Sequence, residues 1–295
     1  AEDGIRDHCV TGVQTCALPI LIRTKGPGGA GKILGPMLNA LLCYPDHPFD
    51  WDLIGYNDKG GFHPVVRPVE LDRSQVYPKE QALVDYVMGE YNSGRQVWVF
   101  AVYNGVRDVQ GRLARFLAAK GLRVAELRQS VAPADREAWI AANGPKHDVI
   151  LSGPKLVETG LDLFDRSGRH NFSTLCFYET GYNLFTLRQA SRRAWRIGQK
   201  QKCRVAYFFY KGTMQEQAMT LMGRKMAAAT AIDGRFTTEG LVGMAEDDSI
   251  EMAMAKSLAD NMQEDASREW EKIGGGLEAQ IDEDNIADLL DSLGV

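Results

Sequence analysis

Two arginines three residues apart, Arg193 and Arg196, stand in the segment QASRRAWRIGQ that runs from Gln189 to Gln199. On a helix that spacing puts them on one face. Two guanidinium groups aimed at one point suit the charge that develops on a phosphoryl group in transfer. A solvated basic helix is the bland alternative, and Trp195 between the arginines and the Ile197-Gly198-Gln199 ending are foreign to it. A second segment, LSGPKLVETGLDLF (151–164), follows directly on an apolar run. Ser152, Lys155 and Thr159 offer donors to backbone phosphates, and Gly160 allows close backbone approach.

The segment from Gln189 to Gln199 resembles the last conserved motif of Swi/Snf-type superfamily 2 helicase-like, DNA-dependent ATPases, with the Gln, Arg-x-x-Arg and Ile-Gly-Gln in register. Residues 151–164 resemble the motif before it. RQVWVFAVY (95–103) resembles the first strand of the same lobe. Gly212-Thr213, Glu216 and the helix beyond them resemble its closing helix. The resemblance covers residues 78–234 and identifies them as the C-terminal, RecA-like lobe of such a motor. It implies that Arg193 and Arg196 act as arginine fingers, reaching ATP held by a first lobe that this stretch lacks. Gln189, Gly160 and Asp162 would then face the nucleotide, Asp162 near the ribose. ATP and Mg2+ would be held mainly by the first lobe. The partners implied are that lobe and double-stranded DNA, and the lobe alone is expected to hydrolyse no ATP. Arg192 departs from the pattern, because the family often carries an acid there.

The elements that must position these residues are legible as apolar runs alternating with helical periodicity. Helices are expected over 33–42, 79–91, 106–120, 133–142, 184–197 and 213–231. Strands are expected over 96–102, 123–127, 148–152, 174–178 and 204–210. Continuous apolar strands alternating with helices predict an α/β fold: a RecA-like parallel sheet with helices on both faces. Ligands of such sheets sit beyond the carboxyl ends of the strands. Residues 21–77 read as a Gly- and Pro-rich connecting segment from the missing first lobe, turn-rich around Pro64 and Pro68. Residues 235–295 read as an acidic tail, mostly helical or disordered, with 286–293 as a possible docking helix for a protein partner.

Residues 1–20 are set aside. The stretch VTGVQTCALPI (10–20) resembles the conceptual translation of a common sequencing adapter, and AEDGIRD (1–7) its other arm. The acids Glu2, Asp3 and Asp7 contradict a secretory signal. The net charge of −5 is uneven: 4 basic and 16 acidic residues lie in 235–295, against 29 basic and 20 acidic in 21–234. A basic body with an acidic tail suits a nucleic-acid binder. Cys43, Cys176 and Cys203 are scattered, with no CxxC and no paired histidines. That argues against disulfides and zinc and for a cytoplasmic setting. No apolar run reaches membrane-helix length, so no membrane partner is expected.

One match is refused. Gly26 to Lys32 fits the GxxxxGK of a phosphate-binding loop, but Ile33 stands where Ser or Thr should ligate magnesium, and Pro27 removes an amide. No metal site is expected on the chain. The histidines are isolated, and Trp139 and Trp195 read as core packing. Two rival functions remain open: a non-catalytic DNA- or protein-binding module, and a nucleotide-sugar-transferase-like α/β enzyme. The second has no use for the arginine helix.

Overall fold

The computed structural model describes residues 35–232, apart from 104–106, 158–160, 180 and 182. The adapter-like start, the GxxxxGK match and the acidic tail lie outside the described residues. Two compact units are present, dividing between Lys211 and Gly212.

The first unit opens with a helix through 35–43 (α1). An antiparallel ribbon follows: β1 (Ile54–Asp58) and β2 (Gly61–Val66). The sequence reading had only turns here, on the strength of its prolines. A two-stranded ribbon has no central strand, so Pro64 can sit opposite Gly55 without breaking an interior ladder. Tyr56 stacks on His63, with ring centroids 5.1 Å apart.

The rest of the unit alternates helix and strand: α2 (Pro78–Asn92), β3 (Val97–Phe100), α3 (Val109–Ala119), β4 (Val124–Leu127), α4 (Arg136–Asn143), β5 (Val149–Ser152), β6 (Thr174–Phe177), α5 (Leu184–Ser191) and β7 (Arg204–Tyr207). The five strands β3 to β7 form one wholly parallel sheet in the order β4-β5-β3-β6-β7. This is the α/β, RecA-like sheet that the apolar runs predicted.

All five strands are four residues long, and the three central ones, β3, β5 and β6, are buried end to end. On one face Val97, Val99, Val149, Leu151 and Cys176 pack with Leu83, Val84 and Val87 of α2 and Leu113 and Leu117 of α3. Successive side chains alternate across a sheet. Trp98, Phe100, Ile150, Leu175 and Phe177 therefore point the other way, and they are equally buried. There Phe100 stacks on Phe177 at 4.5 Å and Trp98 meets Phe172 edge-on at 5.2 Å.

Helix starts follow local chemistry. Pro78 opens α2, and the Glu80 carboxylate accepts the Tyr77 N–H at 2.9 Å. Asp108 caps α3 by accepting the Gly111 N–H, and Asn183 caps α5 by accepting the Thr186 N–H at 3.0 Å. The Glu80 carboxylate also takes Arg112 Nε at 2.5 Å, and Arg112 donates to the Arg73 and Gln75 carbonyls. This buried pair pins the approach to α2 onto α3.

The second unit holds α6 (Met214–Ile232). Glu216 in its first turn accepts the Gly212 N–H at 2.7 Å. Among the described residues, no helix is long and apolar enough to cross a membrane.

Candidate functional site

The arginine segment is not one long helix. α5 stops at Ser191, six residues short of the expected end. The chain then runs through successive turns, with Arg193 N–H bonded to the Ala190 carbonyl, Trp195 N–H to Arg192 and Gln199 N–H to Arg196. Gly198, at φ 94°, closes the last turn. The reason is tertiary: the Arg193 carbonyl accepts the Leu163 N–H at 3.4 Å, which draws the backbone out of the helical path. Arg193 and Arg196 therefore do not share a helical face by α spacing.

That same bond joins the two motifs. Leu163 is fully buried and its own carbonyl takes the Phe172 N–H at 3.0 Å. Beside it, Asp162 accepts Arg196 Nε at 2.5 Å. Two residues from the two segments singled out in the sequence are thus in contact. Gln199 locks the far side: its amide exchanges hydrogen bonds with Asn171 at 2.9 and 2.8 Å and donates to the Ala194 carbonyl at 3.1 Å. Gln189 is half-buried on α5, and its carbonyl accepts the Arg192 N–H.

Other expected residues fare differently. Ser152 is wholly buried at the end of β5, where its hydroxyl accepts the Trp98 indole N–H at 2.8 Å. It belongs to the core, out of reach of any DNA phosphate. Lys155 is exposed on the single turn that follows β5. Thr159 and Gly160 lie outside the described residues. Trp195, expected in the core, is 63% exposed, and Ile197 is 86% exposed; both flank Arg196 on the surface. Trp139 is partly buried.

Sequence reasoning missed a second polar cluster at the carboxyl ends of β3 and β6. Glu179 is buried two residues past β6, and one carboxylate oxygen accepts both the Val102 and Tyr103 N–H groups, at 2.7 and 3.0 Å. Burial, and then the charge of nearby Asp46, push its pKa well above the usual carboxylate range; the two N–H groups and Lys79 only partly oppose this. Asp46 itself pairs with Lys79 at 2.8 Å, both almost completely buried, and the Lys79 ammonium lies 4.4 Å from the Tyr178 ring centre. The signal available in the sequence was an acid directly after the five-residue run TLCFY (174–178), at a strand end where ligand sites gather. Cys43 is buried nearby, which pushes its thiol up to about 12 and leaves it a poor nucleophile. Among the described residues, no group of three or more His, Cys, Asp or Glu side chains could hold a metal ion.

Comparison with known proteins gives a curated relative and solved structures. A TATA-binding protein-associated factor, BTAF1 of Arabidopsis thaliana, is 28% identical over 192 residues, covering 64% of this chain. The chain spans only 8% of the length of that relative. Among solved structures, the C-terminal part of the Fun30 ATPase domain gives a TM-score of 0.46 at 17% identity, covering 65% of this chain and 60% of that one. The Hef helicase domain of Pyrococcus furiosus gives 0.34 at 17% identity, over 48% of this chain and 28% of that one. No protein-family profile matches the chain. The chain carries the two segments on adjacent, hydrogen-bonded stretches beyond the parallel sheet.

Proposed function

We propose that this chain is the second motor lobe of an ATP-dependent DNA translocase. In this reading a first lobe binds ATP and Mg2+, and closure of the two lobes brings Arg193 and Arg196 to the phosphates. Lys155, exposed beyond β5, contacts the DNA backbone, so binding to duplex DNA is salt-sensitive. The lobe by itself hydrolyses no ATP.

The observation that carries the reading is the contact between Asp162 and Arg196, backed by the Leu163–Arg193 backbone bond. It brings two sequence-distant segments, each matching a motor motif, to one place. The Arg196 guanidinium is 32% exposed on a pinned backbone, as a group that is to meet a phosphoryl oxygen must be. The chain's own residues supply positive charge in a fixed position, and this is the part of phosphoryl-transfer catalysis that electrostatic preorganisation provides.

The test is DNA-stimulated ATP hydrolysis by this lobe joined to its first lobe, with Arg193→Ala and Arg196→Ala beside it. Loss of an arginine finger lowers turnover by about a thousandfold or more, with DNA binding retained. Full activity in both variants refutes the motor reading and leaves a DNA- or protein-binding module.

A further inference from the structure

An arginine can be held in two ways. A carboxylate on the terminal Nη pair occupies the edge that grips phosphate, whereas one on Nε fixes the plane of the group from its inner side. Asp162 takes Nε of Arg196 at 2.5 Å, and among the described residues no hydrogen bond is made by Nη1 or Nη2. We propose that Asp162 is a positioning residue for Arg196, orienting its guanidinium from the Nε side while the Nη pair stays open to a phosphoryl oxygen. This rests on the motor-lobe reading.

Exposed ion pairs are usually worth little, because two mobile side chains must be ordered to form them. Here both backbones are already fixed. Asp162 lies between Leu161 and Leu163, both buried, and Leu163 is bonded to Arg193 and Phe172. Arg196 lies two residues past buried Ala194, and its carbonyl holds the Gln199 N–H at 2.9 Å while the Gln199 side chain reaches back to Ala194. Only the two side chains remain to be ordered, so the contact costs less than one between mobile loops. Trp195 and Ile197 on either side present apolar surface. Covering it excludes water and strengthens any charge-assisted bond made by the Nη pair.

The experiment uses the full 295-residue chain, labelled with nitrogen-15. Arg166, exposed nearby in sequence, is the control. The Nε proton of Arg196 is expected to exchange with water roughly fivefold more slowly than that of Arg166, the factor set by an ion pair at the upper end of the surface range. Asp162→Ala removes the protection, and Asp162→Glu restores part of it. Because Asp162 is 59% exposed, neither change disturbs the core. Phenylglyoxal, which attacks the Nη pair, should modify Arg196 at rates within about twofold in the native chain and in Asp162→Ala. Unprotected Nε exchange in the native chain overturns the proposal. So does phenylglyoxal modification that accelerates several-fold in Asp162→Ala, since Asp162 would then cover the Nη edge. Unchanged ATP hydrolysis by Arg196→Ala in the two-lobe protein, with Nε protection intact, overturns the motor reading instead.

Discussion

Glu179→Gln separates the two jobs that the buried carboxylate does. The amide keeps a carbonyl oxygen for the Val102 and Tyr103 N–H groups but cannot ionise. In the native chain, burial and the Asp46 charge hold the Glu179 proton on at pH values where the unfolded chain has released it. The folded state then binds more protons than the unfolded state, so stability falls as pH rises from the ordinary glutamate value of 4.5 toward the raised one. The slope reaches about 1.4 kcal/mol per pH unit for one group. Glu179→Gln lacks this slope, so its stability relative to the native chain should climb by up to that amount per unit between pH 5 and 7. Glu179→Ala is different: two part-buried N–H groups lose their acceptor, at about 1 kcal/mol each relative to the glutamine variant and independently of pH. Urea denaturation of the three proteins at half-unit pH steps measures both effects. Parallel native and glutamine curves would show that burial does not dominate at Glu179. An alanine variant as stable as the glutamine variant would show that the carboxylate does not anchor the chain beyond β3.

Three further outcomes are expected. Ser152→Ala leaves the buried Trp98 indole N–H without its acceptor and should cost about 1–3 kcal/mol in urea denaturation. Salt-matched DNA binding should stay unchanged, and weakened binding at unchanged stability would return Ser152 to the nucleic-acid surface. Arg112→Ala strips the buried Glu80 carboxylate of its cation and should destabilise by about 3–5 kcal/mol, read as a fall in the denaturation midpoint. Gly198→Ala forces a side chain onto φ 94° and should cost about 1–2 kcal/mol or more. If that variant is as stable as the native chain, the turn that closes the arginine segment is not fixed as described.

Much of the sheet was legible because burial on both faces leaves a simple trace. VWVF of β3 and VIL of β5 have no polar side to alternate with, and only a covered parallel strand tolerates that. The ribbon Ile54–Val66 was not legible, because Pro64 and the glycines at 60 and 61 give a turn signature. What decides for strand there is pairing between partners, as between Tyr56 and His63, and pairing is not a property of either segment alone. The early end of α5 was hidden for the same reason. Residues 184–197 have helical periodicity, and the bond from Leu163 that overrides it comes from a segment some thirty positions away.

The site divides along the same line between local and tertiary information. Arg196 was singled out by residue type and spacing and Asp162 by resemblance alone, and the contact between them was not foreseen from either. Ser152 was misplaced because a serine at a strand end looks alike whether it faces solvent or an indole. Glu179 shows the converse. Its one local mark is its place directly after an apolar run, and its surroundings hold it as a buried anchor for the chain leaving β3. In a parallel sheet the loops beyond the strand ends carry the ligand-facing groups, and those loops must be fixed before any group on them can act. The exposed Asp162–Arg196 pair and the buried Glu179 anchor are two answers to that requirement. One orients a single guanidinium at the surface; the other fixes the backbone of the neighbouring loop from within.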